Sequence, residues 1–245
     1  MAVVITNELT KVFDDKKRGE VVAVNSVNIE CQPGRVFGIL GLNGAGKTTL
    51  LRLLATILRP TSGTAKINGF DVTKHPQEVK KQVGFLSGDT KLYPRLTAFE
   101  TVIYFGRLNG LSEEVLKNRS EEIFKRFGMN EFRNVKVDKL SSGMKQKVSI
   151  ARTLIHDPEV LILDEPTAGL DVLTSRGIMQ FLKESKKLNK CILFSTHMMH
   201  EAEKLCDDIA IIHKGRVLEV GTLEELRHKT GLEELDDIFV KIIGE

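Results

Sequence analysis

The sequence predicts an α/β fold with an antiparallel β subdomain at its start and an inserted α-helical subdomain. Three patterns support this class. An apolar strand, a glycine-rich loop and a helix follow one another in residues 36–58, and strands alternate with helices again after residue 160. Between these regions, residues 90–155 carry helical periodicity that no strand interrupts. A chain of 245 residues, 41% of them hydrophobic, can bury a core of this size.

The first thirty residues predict antiparallel strands. Residues 3–6 and 9–13 have the composition of a strand pair, and β character resumes at residues 21–24 and 27–30. The polar run between them, residues 14–20, is expected to form a solvated hairpin loop rather than a binding patch. Gln32-Pro33-Gly34 then predicts a turn before the next strand.

The glycine-rich loop is the strongest local signal. Its residues match the pattern G-x-x-x-x-G-K-[ST]; they are Gly41, Leu42, Asn43, Gly44, Ala45, Gly46, Lys47 and Thr48. A strand precedes the loop and a helix, expected over residues 49–58, follows it, so backbone N–H groups and the helix N-terminus would face a bound phosphate. A glycine-rich turn without a ligand is the alternative, but the full match in this context predicts nucleotide binding. Lys47 is expected to reach the β- and γ-phosphates, Thr48 to ligate Mg²⁺, and Thr49 to complete the ATP-binding set.

The remaining elements complete one domain over residues 1–245. We expect an edge strand at 64–67 with a turn at 68–69, a helix at 77–81 and a strand at 83–86. After the helical subdomain come a strand at 160–163, a helix at 175–188, a strand at 191–194, a helix at 198–206 and a hairpin at 209–220. Residues 1–89 and 156–222 would form the core, 90–155 the helical lobe, and 223–245 a helical tail, by default solvated.

Asp164 and Glu165 place two carboxylates at the end of a buried strand. Uncompensated charge there is costly, so a metal or a phosphate-linked partner is the natural explanation. Asp164 would hold Mg²⁺ directly or through water, and Glu165 would polarise the attacking water. A pair of capping carboxylates is the alternative. Ser141, taken alone, is a helix N-cap.

The order of these motifs resembles the ATP-binding-cassette (ABC) ATPases, a family with a P-loop NTPase core, over nearly the whole chain. The motifs are the phosphate loop, Leu140-Ser141-Ser142-Gly143, Asp164-Glu165, Gly169-Leu170-Asp171 and Ser195-Thr196-His197. In that family two cassettes enclose two ATP molecules. The resemblance implies that Ser141 and Gly143 grip the γ-phosphate of the partner copy's ATP, that His197 contacts the γ-phosphate of the chain's own ATP as a second catalytic residue, and that Asp171 crosses the dimer interface. Phe13 would lie against adenine, although a core Phe is the alternative.

Two positions depart from the family pattern. The signature motif usually reads L-S-G-G-Q, whereas Ser142 and Met144 occupy its third and fifth places here. Gly88 stands where the family carries a glutamine that reaches Mg²⁺, and Asp89 is a candidate replacement. The segments 88–93, 143–148 and 195–197 resemble the sodium-exporting, NatA-type branch of bacterial cassette ATPases.

The resemblance implies the ATPase subunit of an ABC exporter, with ATP and Mg²⁺ as cofactors. Its partners would be a second copy and an integral membrane permease, at the cytoplasmic face of the cell membrane. A net charge of +3 gives no reason to expect nucleic acid, and three widely spaced cysteines indicate reduced thiols rather than disulfides or zinc. No signal peptide or membrane span is visible in the sequence. A soluble clamp ATPase and a regulatory module without useful turnover are the alternatives.

Overall fold

The structure is a computed structural model that describes residues 2–16, 19–87 and 91–244. Its strands are β1 (Val4–Asp15), β2 (Gly19–Val27), β3 (Glu30–Cys31), β4 (Val36–Leu40), β5 (Ser62–Ile67), β6 (Phe70–Asp71), β7 (Val83–Ser87), β8 (Val160–Asp164), β9 (Cys191–Thr196), β10 (Asp208–His213) and β11 (Arg216–Gly221). Its helices are α1 (Lys47–Leu54), α2 (Pro76–Gln82), α3 (Ala98–Leu108), α4 (Glu113–Arg126), α5 (Ser142–Leu154), α6 (Val172–Lys187), α7 (Met199–Leu205), α8 (Leu223–Thr230) and α9 (Leu235–Ile243).

The antiparallel sheet has the order β2-β1-β5-β6, with β3 beside β1. The predicted pair of strands in residues 3–13 is wrong, because β1 runs through both segments as one strand. Glu8 has a φ of 47°, and the register of β1 shifts near it, between Asn7 and Thr10 against β5 and between Leu9 and Val12 against β2. The polar break is therefore a bend within a strand rather than a turn. The predicted edge strand, β5, instead lies between β1 and the short β6.

The second sheet has the order β11-β10-β4-β9-β8-β7 and forms the α/β core. Strand β4 is buried along its whole length and pairs in parallel with β9 and β10. All-apolar strands such as β4 are expected when helices cover both faces of a parallel sheet. The predicted hairpin near the end of the chain is confirmed as β10 and β11, which pair antiparallel.

Helix α1 ends earlier than its apolar pattern predicts, at Leu54 rather than near residue 58. Thr56 has a φ of 59°, and the N–H groups of Ile57 and Leu58 both donate to Arg52 O, at 2.9 and 3.1 Å. The left-handed backbone of Thr56 therefore ends the helix before the apolar pattern does.

Between β7 and β8 the described chain is helical. Helices α3, α4 and α5 share a core of their own, in which Val102, Phe124 and Val148 are fully buried. Within the helical lobe predicted for residues 90–155, Gly110 at φ 78° turns the chain between α3 and α4. Ser141 caps α5, where its hydroxyl accepts from Met144 N at 3.2 Å.

The charges of the C-terminal tail predict a solvated helix, and this prediction is wrong. Leu235, Ile238 and Phe239 of α9 are buried against β10 and α8. Their spacing of three and four residues gives α9 one apolar face, which decides its position despite the charged residues around it. Within residues 2–16, 19–87 and 91–244, none of the helices combines the length and the apolarity required to cross a bilayer.

The three cysteines are free thiols, as the sequence predicts. Cys31 and Cys191 are buried, and burial raises the pKa of the Cys191 thiol to about 12. Burial also raises the pKa of Cys31 and Cys206 well above the usual thiol range.

Candidate active site

The predicted phosphate loop, Asp164, Glu165 and His197 meet at one edge of the core sheet, where three neighbouring parallel strands end. Leu40 of β4 pairs with Thr196 of β9, and Asp164 of β8 pairs with Ser195 of β9. The segments that follow these strands therefore lie side by side, although up to about 150 residues separate them in the sequence. They are the phosphate loop after β4, Glu165 after β8 and His197 after β9.

Backbone conformation explains the glycines of the phosphate loop. Gly46 has a φ of 108°, and a Cβ there would lie 2.3 Å from Ala23 O. A Cβ at Gly41 would lie 2.5 Å from Ile212 O. Neither position can hold a larger residue without displacing backbone, so the loop shape depends on both glycines.

The phosphate loop and the N-terminus of α1 line one cleft. The Ala45 N–H donates a hydrogen bond within the loop, to Leu42 O at 3.1 Å. Within the described chain, helix α1 begins at Lys47 with neither a side-chain cap nor an acidic residue in its first turn. The free N–H groups and positive dipole of a helix N-terminus favour an anion. The cleft has a volume of about 170 Å³ and is lined by Ala23, residues 42–49 and Glu165.

Lys47 is a buried cation beneath this loop, with 4% of its surface exposed. Its Nζ donates to Gly41 O at 2.7 Å and Leu42 O at 3.2 Å. The same Nζ lies 3.2 Å from Glu165 Oε1. These partners satisfy a charge that would be costly to bury alone, and they hold the ammonium where a phosphate on the loop would meet it.

Glu165 bridges the lysine and the histidine. Its Oε2 lies 3.2 Å from His197 Nδ1, while Oε1 faces Lys47. Burial tends to raise the pKa of Glu165, but the hydrogen bond with His197 and the contact with Lys47 outweigh it and lower the pKa below its usual value. The side chain is therefore an anion at neutral pH, able to accept a proton.

Asp164 and Thr48 are candidate oxygen donors for a cation. Asp164 Oδ1 accepts from Ser195 Oγ at 2.7 Å, and the same Ser195 hydroxyl accepts from Glu165 N at 3.0 Å. No group of three or more His, Cys, Asp or Glu side chains suited to a metal occurs among the residues that the structure describes. A carboxylate and a hydroxyl beside a phosphate site nevertheless fit Mg²⁺, which binds few protein oxygens and completes its shell with phosphate and water.

The signature residues lie outside this cleft. Ser141 is exposed at the N-terminus of α5, and a Cβ at Gly143 would lie 3.1 Å from Thr174 Oγ1. Asp171 caps α6 and accepts from the N–H groups of Leu173 and Thr174, both at 3.0 Å. These residues form a second surface, at the junction of α5 and α6, that does not contribute to the chain's own phosphate cleft.

Phe13 is not a core residue, so the alternative interpretation of this side chain is wrong. It is 37% exposed on β1, and Lys11 Nζ lies 5.1 Å from the centre of its ring. The residues lining the phosphate cleft do not include Phe13. Gly88 and Asp89, the positions where the sequence departs from the glutamine of the family, lie outside the described residues.

Three residues near the site were not expected from the sequence. Ala23 lines the cleft, Gln146 donates from Nε2 to Pro166 O at 2.7 Å, and Glu201 is buried and accepts a hydrogen bond from Thr196, the residue before His197. Gln146 lies within the signature segment and Glu201 lies four residues after His197, so their closeness to these motifs could have identified them from the sequence. No sequence feature indicates Ala23, because a long-range strand contact brings it to the loop.

The comparisons with known proteins agree with this geometry. Residues 24–168, more than half of the chain, match the family model described as ABC transporter. The chain is 48% identical to the ABC transporter ATP-binding protein NatA of Bacillus subtilis, over 93% of each chain. It is 35% identical to the doxorubicin resistance ATP-binding protein DrrA of Mycobacterium tuberculosis, over 99% of this chain and 71% of the relative.

A solved structure extends the likeness to the reaction. A dimeric ATP-binding cassette in a post-hydrolysis state, bound to ADP and Pi, superposes with a TM-score of 0.82 at 28% identity, covering 89% of this chain and 98% of that one. The α/β cassette fold predicted from the sequence is confirmed. The chain belongs to the ABC transporter family, in which it is an ATP-binding subunit with ATPase activity.

Proposed function

We propose that this chain powers an exporter, with two copies closing around two ATP molecules and driving transport through a separate integral membrane permease. The observation that carries the proposal is the position of Glu165, whose two carboxylate oxygens lie 3.2 Å from Lys47 Nζ and 3.2 Å from His197 Nδ1. A base, a phosphate-directed cation and a second polar group thereby meet at the mouth of the phosphate loop.

One half of each ATP site comes from the chain's own core. Residues 41–49 would surround the phosphates with N–H groups, and Lys47 would turn its ammonium from the loop carbonyls to the β- and γ-phosphates. Thr48 and Asp164 would hold Mg²⁺. A bound ion would act as a Lewis acid that stabilises negative charge on the phosphates.

Hydrolysis would then use Glu165 and His197. The Glu165 carboxylate accepts a proton from water while the water oxygen bonds to the γ-phosphorus and the bond to ADP breaks. His197 would contact the γ-phosphate, and its Nδ1 lies 3.2 Å from Glu165 Oε2, where it would help to orient the carboxylate. The position of Glu165 supports this assignment, because its two carboxylate oxygens lie between Lys47 Nζ and His197 Nδ1 beside the phosphate loop.

The second half of each site would come from the partner copy. Ser141 and Gly143 occupy the N-terminus of α5, which suits a phosphate, yet they do not line the cleft of their own chain. A second copy placed face to face would bring them to it, with Asp171 at the junction. Phe13, exposed on β1, would stack on adenine.

Export is supported by the relatives, one of which is named for doxorubicin resistance. Such names argue against a soluble clamp. The likeness to NatA leads us to propose Na⁺ as the cargo, with the chain at the cytoplasmic face of the membrane and no role for nucleic acid. The cargo is tested by deleting the chain in its native cell and measuring Na⁺ efflux and drug efflux side by side. Loss of drug efflux alone would refute the sodium assignment.

The shared-site mechanism is tested by ATP turnover as a function of protein concentration, with Glu165→Gln alongside. Glu159→Gln is the matched control, since Glu159 is 61% exposed just before the same strand. We expect wild-type and control turnover to rise more steeply than concentration, and Glu165→Gln to be inactive yet dimeric with ATP. Strictly linear turnover from a monomer would refute the dimer, and an active Glu165→Gln would refute the general base.

A further inference from the structure

We propose that Glu201 is a positioning residue that sets the geometry of Glu165 and His197. The inference rests on the function proposed above, in which those two residues carry the reaction. Glu201 does not line the phosphate cleft, and none of the roles assigned above involves it.

Glu201 is a buried carboxylate in the first turn of α7, with 4% of its surface exposed. Its Oε2 accepts two hydrogen bonds, from Thr167 Oγ1 at 3.0 Å and from Thr196 Oγ1 at 3.1 Å. Hydroxyl donors to a carboxylate make strong, directional bonds, and in a buried site they fix the groups on both sides.

Each of these hydroxyls is attached to a segment that carries a catalytic candidate. Thr167 lies in the turn that starts at Glu165, closed by Ala168 N donating to Glu165 O at 3.1 Å. Thr196 directly precedes His197, and its Oγ1 also accepts from the Met198 N–H at 3.0 Å. One carboxylate thus joins the backbone next to Glu165 to the backbone on both sides of His197.

Stability alone is a poor explanation for a carboxylate at this position. Burying a carboxylate away from cations is unfavourable, and among the described residues Glu201 takes part in no ion pair. Its neighbours Ala202 and Leu205 are buried, so an apolar side chain would suit the packing of α7. The two hydroxyl contacts are what an apolar side chain would lose. The competing explanation is that an acidic residue in the first turn only stabilises the helix dipole.

The test compares Glu201→Leu, which removes the acceptor, with Glu201→Gln, which keeps an oxygen able to accept from both hydroxyls. Glu203→Leu is the matched control, because Glu203 lies on the same helix and accepts a hydrogen bond from Leu235 N at 3.3 Å, remote from the site. Turnover number, ATP dissociation constant and melting temperature are measured for each full-length protein.

We expect Glu201→Leu to lower kcat about 10- to 100-fold while the ATP dissociation constant changes less than about threefold, because misplaced groups lose catalysis before binding. Glu201→Gln should retain kcat within about threefold, and Glu203→Leu should alter only the melting temperature. Equal activity of Glu201→Leu and wild type, or an equal kcat loss in Glu203→Leu, would overturn the proposal. So would a Glu201→Gln protein as inactive as Glu201→Leu.

Thr167→Val keeps the test decisive if Glu201→Leu does not fold. Valine has nearly the same shape as threonine but no hydroxyl to donate. The change therefore removes the hydrogen bond from Thr167 to Glu201 and leaves the one from Thr196 in place. We expect a kcat loss of roughly fivefold or more at unchanged ATP affinity. An unchanged kcat would refute the inference. A wild-type protein that binds no ATP would instead refute the proposed function, which separates the two failures.

Discussion

Ser195→Ala should be among the more destabilising single-atom changes in the core, because one hydroxyl serves two partners. Ser195 is fully buried and donates to Asp164 Oδ1 at 2.7 Å. Losing a hydrogen bond to a charged group costs about 1.5–3 kcal/mol. The second partner, Glu165 N, loses less, since it also donates to Ser195 O at 3.2 Å. We therefore expect the free energy of unfolding to fall by about 2 to 3 kcal/mol, which combines the loss of the hydrogen bond to Asp164 with the smaller loss at Glu165 N.

The assay is urea and thermal unfolding followed by circular dichroism. For a chain of this length, each kcal/mol corresponds to roughly 2–4 °C, so the melting temperature should fall by roughly 4–12 °C. Ser120→Ala is the control, because Ser120 is equally buried but donates to Lys117 O within its own helix. Alanine favours a helix, so that change should be near neutral. If Ser195→Ala costs no more than Ser120→Ala, the argument from charge assistance is refuted.

Three further outcomes follow from the site and the core. Gly46→Ala, whose Cβ would meet Ala23 O at 2.3 Å, should weaken ATP binding about 100-fold or more in calorimetry, and a change below threefold would contradict the steric argument. Burial alone would raise the pKa of Glu165, but the His197 hydrogen bond and the Lys47 ammonium outweigh burial and lower the pKa below its usual 4.5. The Glu165 carboxylate therefore stabilises the fold fully above pH 4.5, and this contribution is lost as the pH falls through the lower pKa of the folded protein. Glu165→Gln should reduce the loss of unfolding free energy measured between about pH 5 and 3. With its pKa near 12, buried Cys191 should react with iodoacetamide at least about 100-fold more slowly in native than in unfolded protein, and equal rates would contradict its burial.

The phosphate loop was predictable because its requirements are local. A strand, two glycines that larger residues cannot replace and a helix N-terminus all lie within twenty consecutive residues. The carboxylates were predictable for a related reason, since Asp164 ends an all-apolar strand. In each case the sequence neighbours alone set the chemistry.

Features that depend on distant partners were predicted less well. β1 appeared as two strands because its polar middle resembles a turn, whereas pairing with β5 and β2 keeps it continuous. The tail appeared solvated because its charges outnumber its apolar residues, although the face containing Ile238 and Phe239 packs on the sheet. Glu201 was missed because a buried carboxylate cannot be distinguished from a surface one until its hydroxyl partners are placed.

The order of strands in the core sheet also constrains how the chain emerges during synthesis. β4, which carries the phosphate loop, has as its neighbours β9 and β10, both near the end of the chain. At 5–20 residues per second, the roughly 150 residues between Thr48 and His197 take about 7 to 30 s to make. Throughout that interval the apolar segment Val36–Leu40 has no partner strand, and a nucleotide gains no complete site to stabilise. The nascent protein consequently carries an unpaired apolar strand through most of its synthesis, and the complete ATP site can form only near the end.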